Sequence, residues 1–404
     1  FGSSVLRFLS PLWPDFGGMF RGMWRLCLLA VALGEQVPSF RNYLKAFGKA
    51  YSSPEEYRLR RSIYVQRANA ILAQNAKGSW TAGVNELTDL TPQELQTRLG
   101  YRKEMRGAAP GQAQPLLKSG RAKKSLPESV DWRKHSPPVV TPVRSQGGCG
   151  SCWAFAATSV MESHVAINTG VLLELSPQEL TSCVSNPRSC GGDGGCTGAT
   201  AQLAFDYAAQ KGGLSDIWMY PYLSGTKYST EECKGTNGTV YLPKKASITG
   251  HVNVPKNDAA ALMEAVSKGP VAVSVDATDW WMYAGGIWDS CNKTAPNINH
   301  AVTLEGYGEE NGTKYWLIRN SWGNNFGENG YIRLRRWDDE PCGDDPAPLQ
   351  GSGCKVGEPA KIYACGECGV LSDSSYPMGA KLGERYVEPE EDEGDWQDED
   401  DWHV

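Results

Sequence analysis

Cysteine placement constrains this chain more than any other feature. Of its 12 cysteines, eleven lie between Cys149 and Cys368, and the remaining one, Cys27, sits near the N-terminus. Eleven is odd, so in an oxidising compartment at least one thiol in that region has no partner. The chain is 404 residues long and 40% hydrophobic, which is enough for a globular core and too long for one average domain. Its 45 Gly and 24 Pro are ordinary for that length, excluding collagen-like and wholly disordered chains.

Charge is unevenly spread. Residues 35–125 carry 16 basic and 7 acidic side chains, 126–387 carry 21 and 28, and 388–404 carry none and 10. A basic front with an acidic body and tail argues against nucleic-acid binding. Arg21 and Arg25 precede the apolar run Leu26–Leu33, and Ala32 and Gly34 supply small residues for cleavage near Glu35. This pattern reads as a secretory signal peptide and is too short to span a bilayer. No later stretch approaches 18 apolar residues, so stable membrane insertion is not expected. Sequons at Asn237, Asn292 and Asn311 agree with secretion but are short enough to occur by chance.

Residues 40–76 form one long helical pattern, with Ser53-Pro54-Glu55-Glu56 supplying a cap, a first-turn proline and early acids. A short helix is expected at Pro92–Leu99 behind the cap Thr91. From 100 to 124 the composition loses periodicity and reads as an exposed linker open to proteolysis. Beyond Leu126, helices are expected at 153–168, closed by Gly170, and at 177–183, 199–210 and 258–268. Strands follow at 271–275, 301–307, 315–319 and 330–334. Helices first and strands second predict an α+β domain of two lobes.

Cys152 stands where the glycine-rich run Gln146–Cys152 meets a helix N-terminus, whose positive dipole end favours a thiolate. That makes it a candidate nucleophile. It is also readable as a disulfide cysteine, as half of a C-x-x-C redox pair with Cys149, or as a zinc ligand with Cys149, Cys365 and Cys368; for zinc the two pairs lie over two hundred residues apart. A thiolate nucleophile needs a base, and the chain has five histidines. His164 lies about 18 Å along the same helix at 1.5 Å per residue. His403 is in the acidic tail, His135 lies among prolines, and His251 has no strand or partner signal nearby. His300, at the start of an apolar strand, remains. Asn320 opens Asn-Ser-Trp-Gly after another strand; its amide suits orienting an imidazole, with Trp322 shielding that bond from water. Gln146 is placed to aim an N–H at a developing oxyanion, with the Cys152 backbone N–H as second donor.

The run Gln146-Gly-Gly-Cys149-Gly-Ser-Cys152-Trp-Ala-Phe155, with His300 and Asn320 downstream, resembles the papain family of cysteine proteases. The start at Leu126 and the segment from Cys368 to Pro377 look like that family too. The resemblance spans roughly residues 40–377. It implies a two-lobed fold, a helical left lobe facing an antiparallel β-barrel-like right lobe. It implies Cys152 as nucleophile, His300 as base, Asn320 as orienter and Gln146 in the oxyanion hole, with no cofactor or metal. Glu56, Arg60, Tyr64, Arg67, Ile71 and Asn75, followed by Gly83-Val-Asn85-Glu-Leu87-Thr-Asp89, resemble the inhibitory propeptide of cathepsin-L-like members, with Tyr64, Arg67 and Leu87 as departures.

By family pattern Cys149 pairs with Cys196, Cys183 with Cys233 and Cys291 with Cys368. Cys190, Cys342, Cys354 and Cys365 are left with three possible connectivities. The substrate cleft is expected at Gly198, Ala199, Ile298, Ala301, Trp322 and Asp373. Ala199 replaces a usual glycine, so its Cβ is expected to intrude where substrate backbone runs. Phe326 replaces a usual tryptophan, and Asn299 an aspartate often found there. Asp373 implies an acidic floor to S2, the pocket for the second residue before the scissile bond, suited to Arg as well as Leu or Phe.

These readings divide the chain into an upstream segment and signal peptide (1–34), an inhibitory propeptide and linker (35–125), a papain-like peptidase domain (126–387) and a disordered acidic tail (388–404). The expected function is a cysteine endopeptidase made as a secretory zymogen, bound for a lysosome, a vacuole or the outside of the cell. It is expected to be a monomer with peptide or protein substrates and its own propeptide as inhibitor. Attraction between the basic propeptide and acidic body would enforce latency, weakening in acid. Two alternatives are an exopeptidase capped by the cysteine-rich insertion at 338–365 and a catalytically silent binding protein.

Overall fold

The structure is a computed structural model that describes residues 37–100, 126–234, 242–350, 353–356 and 362–383. The signal-peptide, linker and acidic-tail readings, His403 and the Asn237 sequon lie outside them.

The propeptide begins with two helices, Phe40–Ala46 and Pro54–Asn75, rather than one. Gly48 has φ +60°, a conformation glycine adopts without penalty, and it breaks the helical run. The second helix restarts at Ser53, whose hydroxyl accepts from the Glu56 amide at 3.1 Å. Pro92–Arg98 starts with a full capping box: the Thr91 hydroxyl accepts from the Glu94 amide, and the Glu94 carboxylate accepts from the Thr91 amide. Farther on, helices cover Cys152–Thr169, Pro177–Cys183, Ala201–Gln210, Ser224–Lys227 and Ala259–Val266. The Cys152–Thr169 helix is buried almost throughout, so tertiary packing holds it more than amphipathic patterning. Gly170, at φ +79°, terminates it.

Thirteen strands are described: β1 (Trp80–Ala82), β2 (Val130–Asp131), β3 (Ala246–Ser247), β4 (Gly250–Asn253), β5 (Val271–Val275), β6 (Tyr283–Trp288), β7 (His300–Glu310), β8 (Thr313–Arg319), β9 (Tyr331–Arg335), β10 (Cys342–Asp345), β11 (Ile362–Cys365), β12 (Ser374–Met378) and β13 (Lys381–Leu382). The main sheet runs β1-β6-β9-β8-β7-β5-β12-β4, with β2 paired to β7. The α+β class is as expected. The sheet does not close into a barrel, and β6 pairs with β9 in parallel, so the right lobe is not purely antiparallel.

β1 belongs to the propeptide and lies antiparallel to β6, Trp80 opposite Gly286. Sequence patterning missed this three-residue strand because it is shorter than any periodicity can register. Ile71, Trp80, Ala82 and Leu87 enter the same buried cluster as Trp280, Tyr283, Trp288 and Trp322. The Trp80 and Trp288 rings lie 4.2 Å apart. Asn85 donates to the Trp281 carbonyl at 2.7 Å, and Arg67 lies over the Trp281 ring. Among the described residues the ion pairs of the propeptide are internal to it, such as Lys49–Asp89, Arg60–Glu94 and Arg98–Glu86. Apolar burial holds the described part of the propeptide; residues 101–125, which carry 7 of its 16 basic side chains and 1 of its 7 acidic ones, lie outside the described residues. A separate cluster, Cys152 to Ala301 by way of Leu180, Ala204 and Phe205, forms the helical lobe's core and runs up to the cleft.

Candidate active site

Cys152 is the first residue of its helix, and no side chain caps that helix. The Cys152 and Trp153 amides at its start bear on the thiol. His300 opens β7 on the other lobe. The amide of the next residue, Ala301, lies 3.4 Å from the Cys152 sulfur, which brings the two lobes together at this point. Asn320 Oδ1 is 2.8 Å from His300 Nε2 and also accepts from the Ser321 amide. An oxygen that only accepts fixes the imidazole proton on Nε2 and leaves Nδ1 as the basic nitrogen. Nδ1 is buried and has no hydrogen-bond partner among the described residues. Trp322 lies 5.1 Å from the imidazole and Trp280 meets it edge-on, walling it from water. Phe326 packs edge-on against Trp322.

Gln146 is wholly buried. Its Oε1 accepts from Ser321 Oγ at 2.6 Å, which turns its NH2 group toward the cleft. That group donates to the Cys149 carbonyl and, at 2.9 Å, to the carbonyl of Arg98 in the propeptide. Tyr222, whose hydroxyl donates to the Gln146 carbonyl and bonds Ser151, holds the loop from behind. Sequence reading missed Ser321 and Tyr222. Ser321 was inferable only from its position beside Asn320.

The propeptide chain lies directly on this constellation. Gly100 covers the Cys152 sulfur so closely that a Cβ there would overlap it. Gly198 faces the same segment: a Cβ on Gly198 would overlap the Gly100 carbonyl oxygen. Ala199 is buried in a cluster with Cys152, Ala201 and Ala301.

Burial changes the protonation balance. Desolvation pushes the Cys152 thiol up to about 11, only partly offset by backbone amides of Ala301, Trp153, Gly100 and Cys152 itself. It pushes His300 down to about 4 against the opposing bond to Asn320. The thiolate expected from the helix dipole is therefore outweighed under the propeptide, where the pair is a neutral thiol and a neutral imidazole.

The other candidates divide clearly. Ile298 is fully buried, and Asn299 ties its turn to Ala277 and Thr278. Asp373 is half-buried and accepts from Gln202 at 2.8 Å and Ser274 at 2.7 Å. His164 is bonded to the Pro270 carbonyl, His251 to Asp206 and His135 to the Pro137 carbonyl. Disulfides join Cys149–Cys196, Cys183–Cys233, Cys291–Cys368, Cys190–Cys354 and Cys342–Cys365, and Cys152 is the free cysteine among the described residues. The redox and zinc readings thereby lose their partner thiols.

Residues 126–352 match the papain family cysteine proteases, and residues 40–95 the cathepsin propeptide inhibitor domain. Cathepsin S of Mus musculus is 34% identical over 307 residues, covering 74% of this chain and 85% of its own length. Pro-cathepsin H of Bos taurus is 34% identical, covering 84% of this chain and 100% of its own. Among solved structures, a recombinant stem bromelain precursor superposes with a TM-score of 0.65 at 32% identity, covering 84% of this chain and 97% of its own. A digestive procathepsin L 3 from the larval midgut of Tenebrio molitor gives 0.63 at 28%, covering 90% and 100%. A free thiol against the start of the strand that carries an amide-oriented imidazole, under an inhibitor segment and taken with these matches, makes this chain a member of the papain family of cysteine proteases, with its propeptide in place.

Proposed function

We propose that the protein is an endopeptidase zymogen in which Cys152 is the nucleophile, His300 the base, Asn320 the residue that orients it and Gln146 the oxyanion donor. One observation carries the endopeptidase reading: the described propeptide backbone passes from Arg98, bonded to Gln146, to Gly100, which lies over the Cys152 sulfur and against Gly198. A cleft that holds such a segment suits cleavage within a polypeptide. The propeptide survives there because it presents the Gly100 amide to the sulfur rather than a carbonyl carbon.

Once the segment leaves, water returns to the pair and the desolvation that keeps both groups neutral is relieved. The helix N-terminus and the Ala301 amide then favour the thiolate, and His300 takes the proton. The thiolate attacks the scissile carbonyl; Gln146 and the Cys152 amide hold the oxyanion. His300 gives its proton to the leaving amine, a thioester remains on Cys152, and water activated by His300 hydrolyses it to the carboxylic acid and free thiol.

The secretory route, with a lysosomal, vacuolar or extracellular destination, is supported by five disulfides. The S2 pocket is assigned to Ile298, Ala301 and Asp373, with Gly198, Ala199 and Trp322 lining the cleft. Gln202 and Ser274 hold the Asp373 carboxylate, which is placed to pair with a substrate guanidinium. The test matures the full zymogen at mildly acidic pH with a reductant and assays Leu-Arg and Arg-Arg fluorogenic peptides beside Cys152→Ala. Cys152-dependent turnover of both, with internal cuts in a protein substrate, is expected. Turnover of Leu-Arg alone removes the acidic pocket, trimming from chain ends removes the endopeptidase reading, and no turnover after confirmed propeptide removal leaves a silent binding protein.

A further inference from the structure

Two of the three sequons fall in described residues, and the fold leaves the amide nitrogen of both asparagines uncommitted. Asn311-Gly312 is the two-residue loop of the β7–β8 hairpin, closed by the Glu310–Thr313 pair, with φ +51° at Asn311 and +76° at Gly312. Asparagine and glycine accept positive φ in such a loop, so it is the backbone of Asn311 that makes the turn. Its side chain takes no part in it: the residue is exposed, and the side chain has no hydrogen bond among the described residues.

Asn292-Lys293-Thr294 reaches the same result by a different route. Asn292 Oδ1 accepts from the Thr294 amide, the Thr294 hydroxyl and the Ala295 amide, each at 3.1 Å. These bonds close a turn through the side-chain oxygen and leave Nδ2 without a partner among the described residues. Asn292 and Thr294 are both exposed. Elsewhere the opposite holds: the Nδ2 groups of Asn168, Asn186 and Asn257 each donate to a carbonyl, and none of these three residues begins a sequon.

Both positions stay clear of the catalytic residues. The Asn311 loop lies at the end of β7 opposite His300, about 30 Å away at 3.3 Å per residue. Asn292 follows Cys291, which is bonded to Cys368, and Ser290, whose hydroxyl accepts from the Trp80 indole at 2.8 Å. It therefore borders the face on which the propeptide docks, and it is exposed with the propeptide in place.

We propose that Asn292 and Asn311 are N-glycosylation sites, each carrying an oligosaccharide on Nδ2. The proposal rests on the secretory reading above. In the transfer, Nδ2 attacks the anomeric carbon of an oligosaccharide carried on a lipid pyrophosphate. The carbon–nitrogen bond forms, the bond from that carbon to the phosphate oxygen breaks, the pyrophosphate leaves with the bonding pair, and Nδ2 gives up one proton to the transferring enzyme. Oδ1 is untouched, so the turn at Asn292 keeps all three of its bonds. The result is a bulky, solvated group on each of two surface loops.

The test expresses the full zymogen, kept intact by Cys152→Ala, in eukaryotic cells in two forms: with its own N-terminal segment, and behind the secretory leader of another protein. The purified protein is treated with an amide-cleaving N-glycosidase in heavy-oxygen water, and its peptides are analysed by mass spectrometry. Asn292 and Asn311 are expected to return as heavy-oxygen Asp. Asn292→Asp, whose carboxylate still accepts the turn bonds, and Asn311→Asp should each lower the mass of the untreated protein by one glycan, whereas Thr294→Ser should keep the glycan. Unlabelled Asn at either position in the leader-driven protein overturns that site. A chain that stays in the cytosol with its own segment overturns the secretory reading instead, and the leader-driven form still decides the sites.

Discussion

Gly100→Val is the perturbation that the covered thiol makes most informative. A Cβ at this position would overlap the Cys152 sulfur and approach the Gly150 carbonyl. The sulfur is fixed at the start of a buried helix, so the propeptide has to yield. Forcing extra carbons into a packed site costs about 1–3 kcal/mol. At 1.4 kcal/mol per decade, the open fraction of the zymogen rises roughly 5- to 150-fold. The assay is the rate at which a thiol-directed reagent modifies Cys152 in the intact zymogen at neutral pH, since the thiol is 1% exposed when the chain is closed. Labelling should accelerate by that factor, while enzyme matured from the variant, having lost residue 100, should match wild type on peptide substrates. Labelling at the wild-type rate would refute the claim that Gly100 covers the sulfur.

The other predictions concern buried or linked carboxylates. Glu162 is fully buried and accepts from Thr141, Arg144 and the Leu175 amide at 2.6–2.7 Å; Glu162→Ala should cost about 3–5 kcal/mol of unfolding free energy by denaturant titration, and a loss under about 1 kcal/mol would show that the network is replaceable. Glu94 is held down to about 2, first by its hydrogen bond from Arg60. A depressed acid stabilises above its ordinary value of 4.5 and loses that contribution as pH falls toward 2. Glu94→Gln should therefore loosen the propeptide already above that range and flatten the acid transition within it, followed by tryptophan fluorescence of the Cys152→Ala zymogen; superimposable profiles would count against the linkage.

The sequence disclosed this site to the extent that its chemistry is local. Cys152 was legible because a glycine-rich loop running into a helix has a strong signature, and Thr91, Ser53 and Gly170 because caps act within four residues. What was missed depends on contacts between distant segments. The break at Gly48 is a single backbone conformation inside an otherwise helical pattern, and β1 is a strand only because β6 lies beside it. The partner of Cys190 is 164 residues away, beyond what spacing decides among three connectivities. The covering of the thiol was not legible for the same reason: a helix dipole is visible in sequence, whereas the residue that covers the sulfur, Gly100, comes from a separate segment upstream.

β1 has a further consequence once the propeptide departs. In the zymogen β6 is an interior strand, hydrogen-bonded to β9 on one side and to Trp80–Ala82 on the other. Maturation strips one of those neighbours, so activation turns β6 into a rim with unclaimed amides and carbonyls beside an aromatic patch built from Tyr283 and Trp288. The active enzyme is born with a sticky margin that its precursor lacks, and a released propeptide, or any extended segment with a tryptophan in register, meets a template already shaped to receive it.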